Sequence, residues 1–476
     1  MNHFRSLLSL LIVTGTLLSA PAGATTPSWG AGTISIPLGT GIANGQVTLL
    51  SCLSAGNCLA GGWYGTNSGA TETFFTHELN QNWSIGTKVP DPAGGYGLML
   101  SAISCATTQC IGVGQSSLGA TLVQYNWSTQ SFQATSVVTF ANNALDTTHS
   151  SFKDVTCISD GNCVAVGSVN ATPGTNSSRL LVDSMTSGAW SNAETLALPS
   201  SAGATNPAVS AGQVGCISTA RCVYIGSFVT RDGVSRPFIA IRQDGVWHSA
   251  TSPSMPSNAA AQGSQTLSEL SCVTGGSCTA VGTYHTTTGT LVPFSVTITT
   301  NAIGPGVQIP LPANAAPAPK AFLFGFHGLD CTSVGNCSLG AQYSYQVNNV
   351  KHFGGFLTSE VNGVWSARSQ ATFMQVPTGA DSAGQFGGVV GMSCWSAGNC
   401  AGAVAYVDGA RQYQVGVVLE TAGVWASVTP VSMPSGRPAG AAGGLYALRC
   451  FTATTCSGVG SYQGYSGYSA FSLSSL

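Results

Sequence analysis

Sixteen cysteines are the residues of this sequence whose spacing most directly suggests chemistry, and they form eight close pairs. A redox site of the thioredoxin type has two residues between its cysteines, and a structural zinc site brings two short-spaced pairs together. Here seven pairs have five intervening residues and one has four. The pairs are Cys52–Cys58, Cys105–Cys110, Cys157–Cys163, Cys216–Cys222, Cys272–Cys278, Cys331–Cys337, Cys394–Cys400 and Cys450–Cys456.

The beginning of the chain indicates the compartment in which these cysteines work. A positive amino-terminal segment precedes an apolar run from Leu7 to Ala20, and small residues follow up to Ala24. This pattern predicts a cleaved signal peptide over residues 1–24. We expect a secreted, periplasmic or cell-surface protein with no membrane span after cleavage. In such an oxidising compartment eight similar pairs favour one disulfide per local hairpin, and we expect no metal and no cofactor.

A few titratable residues lie at fixed distances before the cysteines. Asp154 and Glu269 each stand three residues before the first cysteine of a pair, and Lys153 and His327 stand four before theirs. Two converging carboxylates are the arrangement used by glycosidases. The alternative is that these side chains hydrogen-bond between neighbouring structural units, since buried polar groups must be paired.

Aromatic residues form a second set of candidates. Tyr96, Phe386 and Tyr446 lie in long variable connections or where the next strand begins, and connections of this kind often carry binding residues. Aromatic rings beside asparagine, glutamine and serine suit a neutral carbohydrate or a peptide. The same rings would equally serve as apolar plugs of a channel mouth.

Composition excludes several classes of function. The chain has 14 Lys+Arg and 16 Asp+Glu, a net charge of −2, whereas a nucleic-acid-binding surface needs a basic stripe. No phosphate-binding glycine loop, serine-nucleophile elbow or zinc-protease helix motif is present. So few acidic groups leave few sites for acid denaturation, which is compatible with an acidic or variable environment. Alternatively, neutral polar residues simply form the surface.

The cysteine pairs mark a repeat that must position all of these residues. Successive first cysteines are 53, 52, 59, 56, 59, 63 and 56 residues apart. An apolar residue precedes each first cysteine by two positions, a small-residue motif follows most second cysteines, and later come a glycine-x-tryptophan turn and a proline. Each repeat therefore predicts four short antiparallel strands, the size of one propeller blade.

The two ends of the chain complement each other. The eighth repeat stops without its tryptophan and fourth strand, while Trp29 to Pro37 resembles the fourth strand at Trp425 to Pro434. We predict an all-β, eight-bladed β-propeller over residues 25–476, with four-stranded antiparallel blades. Residues 25–45 would supply the strand that completes the last blade and closes the ring, and the lead-in to the first. Closure would remove exposed strand edges.

These serine-cysteine repeats, with alanine-valine-glycine after the second cysteine, resemble those of secreted bacterial β-propellers. The likeness covers nearly all of residues 25–476 and implies the fold. The glycine-x-tryptophan turns faintly resemble the Asp-box of sialidase-type propellers, and the period is close to that of kelch repeats. The Asp-box likeness departs at its key position, since only Asp244 to Trp247 comes near it.

The residues favour a binding or surface-interaction module over an enzyme, and we expect no catalytic residue. The ligand would be an extracellular glycan or protein, with no role for nucleic acid, and the chain is expected to be a monomer. Two alternatives stay open, namely a secreted hydrolase or lyase acting on glycans and a purely structural exoprotein. Propellers serve all three roles, so the fold does not choose between them.

Overall fold

The computed structural model describes residues 28–37, 44–140, 145–170, 177–203, 208–300, 302–313, 315, 323–347, 350–366, 372–373, 388–410, 412–434, 437–438, 441–464 and 467–475. The predicted signal peptide lies outside these residues. Throughout the described ranges the regular structure is β-strand, without a helix. We number the repeats one to eight by their cysteine pairs.

Each repeat begins with a strand that runs into its first cysteine, and a tight hairpin leads to a second strand that carries or adjoins the other cysteine. The first strands are β2 (Gly45–Ser54), β7 (Met99–Cys105), β11 (Asp146–Ser159), β16 (Val209–Ser218), β20 (Gln265–Cys272), β24 (Leu323–Ser333), β29 (Gly388–Ser396) and β34 (Gly443–Thr452). The second strands are β3 (Asn57–Gly65), β8 (Gln109–Ser116), β12 (Asn162–Asn170), β17 (Arg221–Val229), β21 (Cys278–His285), β25 (Asn336–Val347), β30 (Asn399–Val407) and β35 (Thr455–Gln463).

A long third strand and short outer strands complete each sheet. The third strands are β4 (Thr71–Leu79), β9 (Gly119–Asn126), β13 (Ser178–Thr186), β18 (Ser235–Gln243), β22 (Leu291–Ile298), β26 (Val350–Val361), β31 (Tyr413–Thr421) and β36 (Tyr468–Ser475). The outer strands are β1 (Trp29–Thr33), β5 (Asn82–Trp83), β6 (Thr87–Lys88), β10 (Ser131–Val137), β14 (Ala189–Trp190), β15 (Glu194–Leu196), β19 (Val246–Trp247), β23 (Val307–Gln308), β27 (Val364–Trp365), β28 (Thr372–Phe373), β32 (Val424–Trp425) and β33 (Thr429–Ser432).

The sheets are antiparallel within each repeat, in the order first, second, third and outer strand. Repeats one to six each form a separate sheet, for example β2-β3-β4-β5. Repeats seven and eight are joined into one nine-stranded sheet through β1. The apolar core lies between sheets, since clusters such as Val164 and Val182 of repeat three with Tyr224 and Phe238 of repeat four draw on two repeats. This arrangement is that of a β-propeller, rich in disulfides.

All eight predicted disulfides are formed, and no cysteine is free. The two cysteines of each pair face one another across the first hairpin, with Cα atoms 3.9 to 4.1 Å apart. The prediction of one local disulfide per repeat is confirmed.

A steric constraint explains why glycine ends the alanine-valine-glycine motif. Every first strand carries a β-bulge about four residues before its first cysteine. The bulge brings a first-strand carbonyl over the second strand, so a Cβ at Gly62 or Gly282 would overlap the carbonyl oxygen of Gln46 or Thr266. Only glycine avoids that overlap without moving the strand.

The glycine-x-tryptophan turns connect the third strand to the outer strand. Asp244 and Gly245 both have positive φ, 51° and 83°, as do Asn362 and Gly363 at 51° and 82°. Two consecutive positive φ angles define the hairpin turn that suits the right-handed twist of strands. The predicted Asn-Gly and Asp-Gly turns are therefore present.

Strand β1 lies where the sequence predicted an outer strand for the eighth repeat. Trp29–Thr33 pairs antiparallel with β36, with Ala31 opposite Leu473 and Thr33 opposite Phe471. It also pairs in parallel with β33 of repeat seven, a contact that the sequence did not predict. Trp29 is only 2% exposed and packs among apolar side chains of both repeats.

The first strands form the inner side of the assembly. Each lies against the first strands of the neighbouring repeats, and β34 of repeat eight lies against β2 of repeat one. The Arg449 guanidinium of repeat eight lies 3.5 Å from the Asp330 carboxylate of repeat six, which reaches past repeat seven. This ion pair joins non-adjacent repeats, so the first strands converge, and the candidate polar residues on these strands lie where they converge.

Candidate functional site

The interface between two consecutive repeats, which we call a seam, contains a recurring polar contact. The residue just before the first cysteine accepts a hydrogen bond from the first-cysteine N–H of the next repeat. Four seams use serine for this contact, at 2.9 to 3.0 Å: Cys105 N to Ser51 Oγ, Cys157 N to Ser104 Oγ, Cys331 N to Ser271 Oγ and Cys450 N to Ser393 Oγ.

Strand geometry explains why the serine is needed. The short Cα separation within each cysteine pair is that of an antiparallel pair without mutual hydrogen bonds, whose N–H groups point away from the partner strand. Because the first strand is innermost, this N–H has no further strand to bond. A buried N–H without an acceptor is costly, and the serine of the preceding repeat satisfies it. The serine of the serine-cysteine motif therefore belongs to the scaffold.

Three further seams use other residues, and two of these residues, Asp154 and Gln213, lie further up the strand. At the seam between repeats three and four, Asp154 Oδ2 accepts from the Val214 N–H at 2.8 Å, while its Oδ1 accepts from the Val155 N–H at 2.9 Å. At the next seam, Gln213 Oε1 accepts from the Leu270 N–H at 2.6 Å. Both contacts lie two residues further up the strand than the serine contacts.

A packing constraint accompanies the change at the second of these seams. The residue before the first cysteine of repeat four is Gly215, and a Cβ there would overlap Cys272 Sγ of repeat five. No serine fits at this position, and the backbone hydrogen bond across this seam runs from the Leu270 N–H to Gln213. Asp154 and Gln213 thus hydrogen-bond between consecutive repeats. For Asp154 this is the alternative to a catalytic role that the sequence left open.

Glu269 differs from both of these neighbours. Its Oε2 accepts from Gln213 Nε2 at 3.0 Å, and among the described residues its Oε1 accepts no hydrogen bond. At the seam that follows, Ser271 already bonds the Cys331 N–H. Glu269 thus holds the Gln213 amide across the seam between repeats four and five, but it accepts from no backbone N–H. Its half-buried carboxyl keeps one oxygen without a partner among the described residues.

The charges around Glu269 perturb its protonation. The pKa of Glu269 is raised to about 7, mainly by burial and also by the nearby Asp154 carboxyl, against the opposing effects of the Gln213 hydrogen bond and Lys153. Burial likewise raises the pKa of Asp154 to about 6, against its two backbone hydrogen bonds and Lys153. Lys153 is an exposed bulge residue whose charge acts on both carboxyls. Near neutral pH the cluster can therefore donate or accept a hydrogen bond.

Asp330 and Arg449 form a second polar group along the channel. Asp330 Oδ2 accepts from the Cys394 N–H at 2.8 Å, so it replaces serine at the seam between repeats six and seven. Burial raises the pKa of Asp330, and Arg449 opposes this rise. The Arg449 side chain remains 48% exposed beside this partner. The pair combines a scaffold contact with a cation facing the channel.

The remaining predicted residues fall into three situations. Tyr446 is the bulge residue of β34, 39% exposed, and its hydroxyl accepts from Ser461 Oγ at 3.3 Å. Tyr96 lies in the connection before β7, where two backbone contacts with Ser117 hold it and leave the side chain 74% exposed. The His327 side chain and Phe386 lie outside the described residues, although the His327 backbone forms part of β24.

Sequence reasoning missed Gln213, Asp330 and Arg449. Gln213 stands three residues before its first cysteine, as do Asp154 and Glu269, so an alignment at that position would have found it. Asp330 and Arg449 occupy the place usually held by serine. An alignment of the repeats with one another would therefore have revealed the whole polar group.

A separate cleft of about 260 Å³ opens between repeats three and four at the hairpin end of the strands. Its Arg242 Nη1 donates to the Thr219 carbonyl at 2.8 Å, so this guanidinium ties two hairpins together. Among the described residues no cluster of histidine, cysteine or acidic side chains could hold a metal ion. In the same part of the chain no helix is long and apolar enough to cross a membrane.

No family model matches the chain, and neither does any curated protein. Among solved structures it is similar to the β-propeller domain of the trilobed protease from Pyrococcus furiosus, with 7% identity, a TM-score of 0.42, and coverage of 82% of this chain and 98% of that one. It is also similar to an ulvan lyase of polysaccharide lyase family 25, with 10% identity, a TM-score of 0.43, and coverage of 77% of this chain and 90% of that one. A lectin of Aleuria aurantia matches with 12% identity, a TM-score of 0.31, and coverage of 72% of this chain and 94% of that one. These similarities are too distant to carry an argument about function.

Proposed function

We propose that the chain is an exported, eight-bladed β-propeller whose ring is closed by its N-terminal strand. The contact of β34 with β2 supports closure, and so does the shared cluster of Ile34 and Val47 with Val459 and Ala470. Eight disulfide hairpins support eight blades. In this scheme β1 serves as the outer strand of the last blade.

We infer further that this propeller is a binding module whose ligand contacts the central channel at Glu269, with Lys153 alongside. The observation that carries this proposal is that Glu269 is the one member of the run Asp154, Gln213 and Glu269 without a task at the following seam. A half-buried carboxyl with a perturbed pKa that satisfies no backbone N–H is a candidate for function. A neutral glycan or a peptide, rich in hydroxyl or amide groups, matches a site that can both donate and accept.

A glycan-active enzyme is the second candidate. The raised pKa values of Glu269 and Asp154, about 7 and 6, favour it, because a glycosidase needs one carboxylic acid that stays protonated near neutral pH. Asp154 has both oxygens bonded to backbone N–H groups, which leaves it poorly placed as the second carboxylate. Binding therefore remains the first proposal.

Arrays of immobilised glycans and peptides, probed with the labelled mature protein, test the proposal. Glu269→Gln should weaken capture by at least about tenfold, the cost of losing one charge-assisted hydrogen bond. Glu194→Gln, an exposed acid on the outer strand β15, is the matched control and should bind like the wild type. Equal capture by the Glu269 variant and the wild type would place the ligand elsewhere. Release of shortened glycan by the wild type but not by the Glu269 variant would favour the enzyme.

A further inference from the structure

Four carboxyl groups outside the channel are buried without a basic partner. Glu78, Asp183, Glu360 and Glu420 are between 0% and 4% exposed. Within the described residues, none of them takes part in an ion pair. Acidic residues are almost never fully buried unless they are paired, and this chain has only 16 of them.

Three of these glutamates occupy the same place in their repeats. Glu78, Glu360 and Glu420 lie on third strands, opposite the second cysteine of the disulfide. At this position the side chain enters a seam. Glu420 of repeat seven accepts from two hydroxyls of repeat six, Ser338 Oγ at 2.8 Å and Ser359 Oγ at 2.5 Å.

Glu78 links the two ends of the chain in the same way. Its hydrogen-bond partner is Ser457 of repeat eight, so this carboxyl lies at the seam between the last repeat and the first. Protonation of Glu78 and Glu420 therefore bears on how consecutive repeats hold together.

Unpaired oxygens indicate which protonation state fits these sites. Glu78 Oε2, Asp183 Oδ2 and Glu360 Oε2 are buried without any hydrogen-bond partner. Asp183 Oδ1, by contrast, accepts from both the Ser184 N–H and Ser191 Oγ. An ionised carboxylate with one dry, donor-free oxygen is very costly, whereas a neutral acid carries its proton there at lower cost.

The surroundings contain no cation that would favour ionisation. The charged group facing Asp183 is Glu194, which is itself acidic. In the sheet register Glu78, Glu360 and Glu420 each lie between the second cysteine and a tryptophan, and no charged side chain of the described residues acts on them. Burial raises the pKa of all four, that of Asp183 to about 6.

We propose that Glu78, Asp183 and Glu360, each with one buried oxygen that has no hydrogen-bond partner, are neutral acids in the folded protein, so that mildly acidic conditions stabilise the fold and rising pH destabilises it. A group that is protonated when folded and ionised when unfolded destabilises the fold as pH rises. The loss begins near the unfolded value of about 4. It continues through each folded pKa, which for Asp183 is about 6.

Urea unfolding of the mature, disulfide-intact protein at several pH values between 5 and 8 tests this proposal. The unfolding equilibrium constant should rise with pH, by about tenfold per pH unit for each carboxyl protonated only in the folded state. Glu360→Gln, which removes the titratable group at an oxygen without a hydrogen-bond partner, should reduce that slope by up to one proton. A constant that is flat or falls over this range would overturn the proposal, and so would an unchanged slope in the variant.

Glu72→Gln is the matched control, because the Glu72 carboxylate pairs with Lys88 at 2.7 Å and its pKa is lowered. Its stabilising effect is lost as pH falls, so this variant should change stability only toward the acidic side. Infrared spectroscopy of the folded protein at pH 6 gives a second readout. The protonated carboxylic-acid band should be weaker in Glu360→Gln than in the wild type, because Glu269 and Asp154, with pKa values of about 7 and 6, contribute equally to both. Bands of equal strength contradict the proposal.

Discussion

The seam between repeats one and two and the run of seams from repeat three to repeat five solve one structural problem differently. Ser51 meets the free N–H of Cys105 with the smallest suitable side chain. Asp154 and Gln213 instead accept from the Val214 and Leu270 N–H groups, two residues before the first cysteine of the next repeat. The comparison teaches that a polar residue on a first strand indicates function only if it is not needed to satisfy a backbone N–H of the next repeat. Glu269 meets this condition, because its hydrogen bond comes from the Gln213 side chain and not from a backbone N–H.

The largest effect should come from the seam that joins the ends of the chain. Trp29→Ala should lower the free energy of unfolding by about 3–5 kcal/mol, because it empties a buried site shared by repeats seven and eight. Urea unfolding measures this loss, and Tyr96→Ala, whose ring is exposed, is the control. A Trp29 variant that unfolds like the control would mean that β1 does not hold the ends together.

An ordinary seam should be affected less. Ser51→Ala leaves the Cys105 N–H without its acceptor and should cost about 1–3 kcal/mol of unfolding free energy. Ser268→Ala, at an exposed bulge position, is the matched serine control and should cost little. If the two variants unfold alike, the serine before the cysteine has no scaffold role and the comparison of seams fails.

The smallest expected effect concerns the outer turns, away from every seam. Ala422 has φ of 50° where the equivalent Asn362 has 51°, and positive φ costs alanine about 1 kcal/mol that asparagine largely avoids. Ala422→Asn should therefore raise the free energy of unfolding by up to about 1 kcal/mol, and Asn362→Ala should lower it similarly. Chemical denaturation of both variants checks this, and changes of equal sign would contradict the turn argument.

Much of the architecture could be predicted because the same sequence pattern recurs in eight repeats. The cysteine spacing, the small-residue motif and the positive-φ turns each recur, so strands, hairpins and disulfides followed from pattern alone. The pairing of β1 with β36 was also predictable, since Trp29 to Pro37 resembles an outer strand. Its parallel contact with β33 was not, because it depends on how two neighbouring sheets approach at their outer edge.

The candidate site was only partly predictable. Asp154 and Glu269 share one sequence position, and nothing local distinguishes the scaffold residue from the free one. The distinction depends on Gly215 and Ser271, which decide what each following seam needs. Buried acids such as Glu420 were missed as well, because alternation along a strand does not reveal that a glutamate enters a seam.

The most direct test compares the unfolding free energies of Gln213→Ala and Glu269→Gln at pH 7. For Gln213→Ala the account predicts a loss of about 1–3 kcal/mol of unfolding free energy, because removal of the Gln213 side chain leaves the Leu270 N–H without an acceptor. For Glu269→Gln it predicts stability unchanged or slightly raised, because the new amide oxygen can still accept from Gln213 and burial of the carboxyl is unfavourable when it is ionised. Equal losses in the two variants would show that Glu269 belongs to the scaffold, and would contradict its assignment to ligand binding.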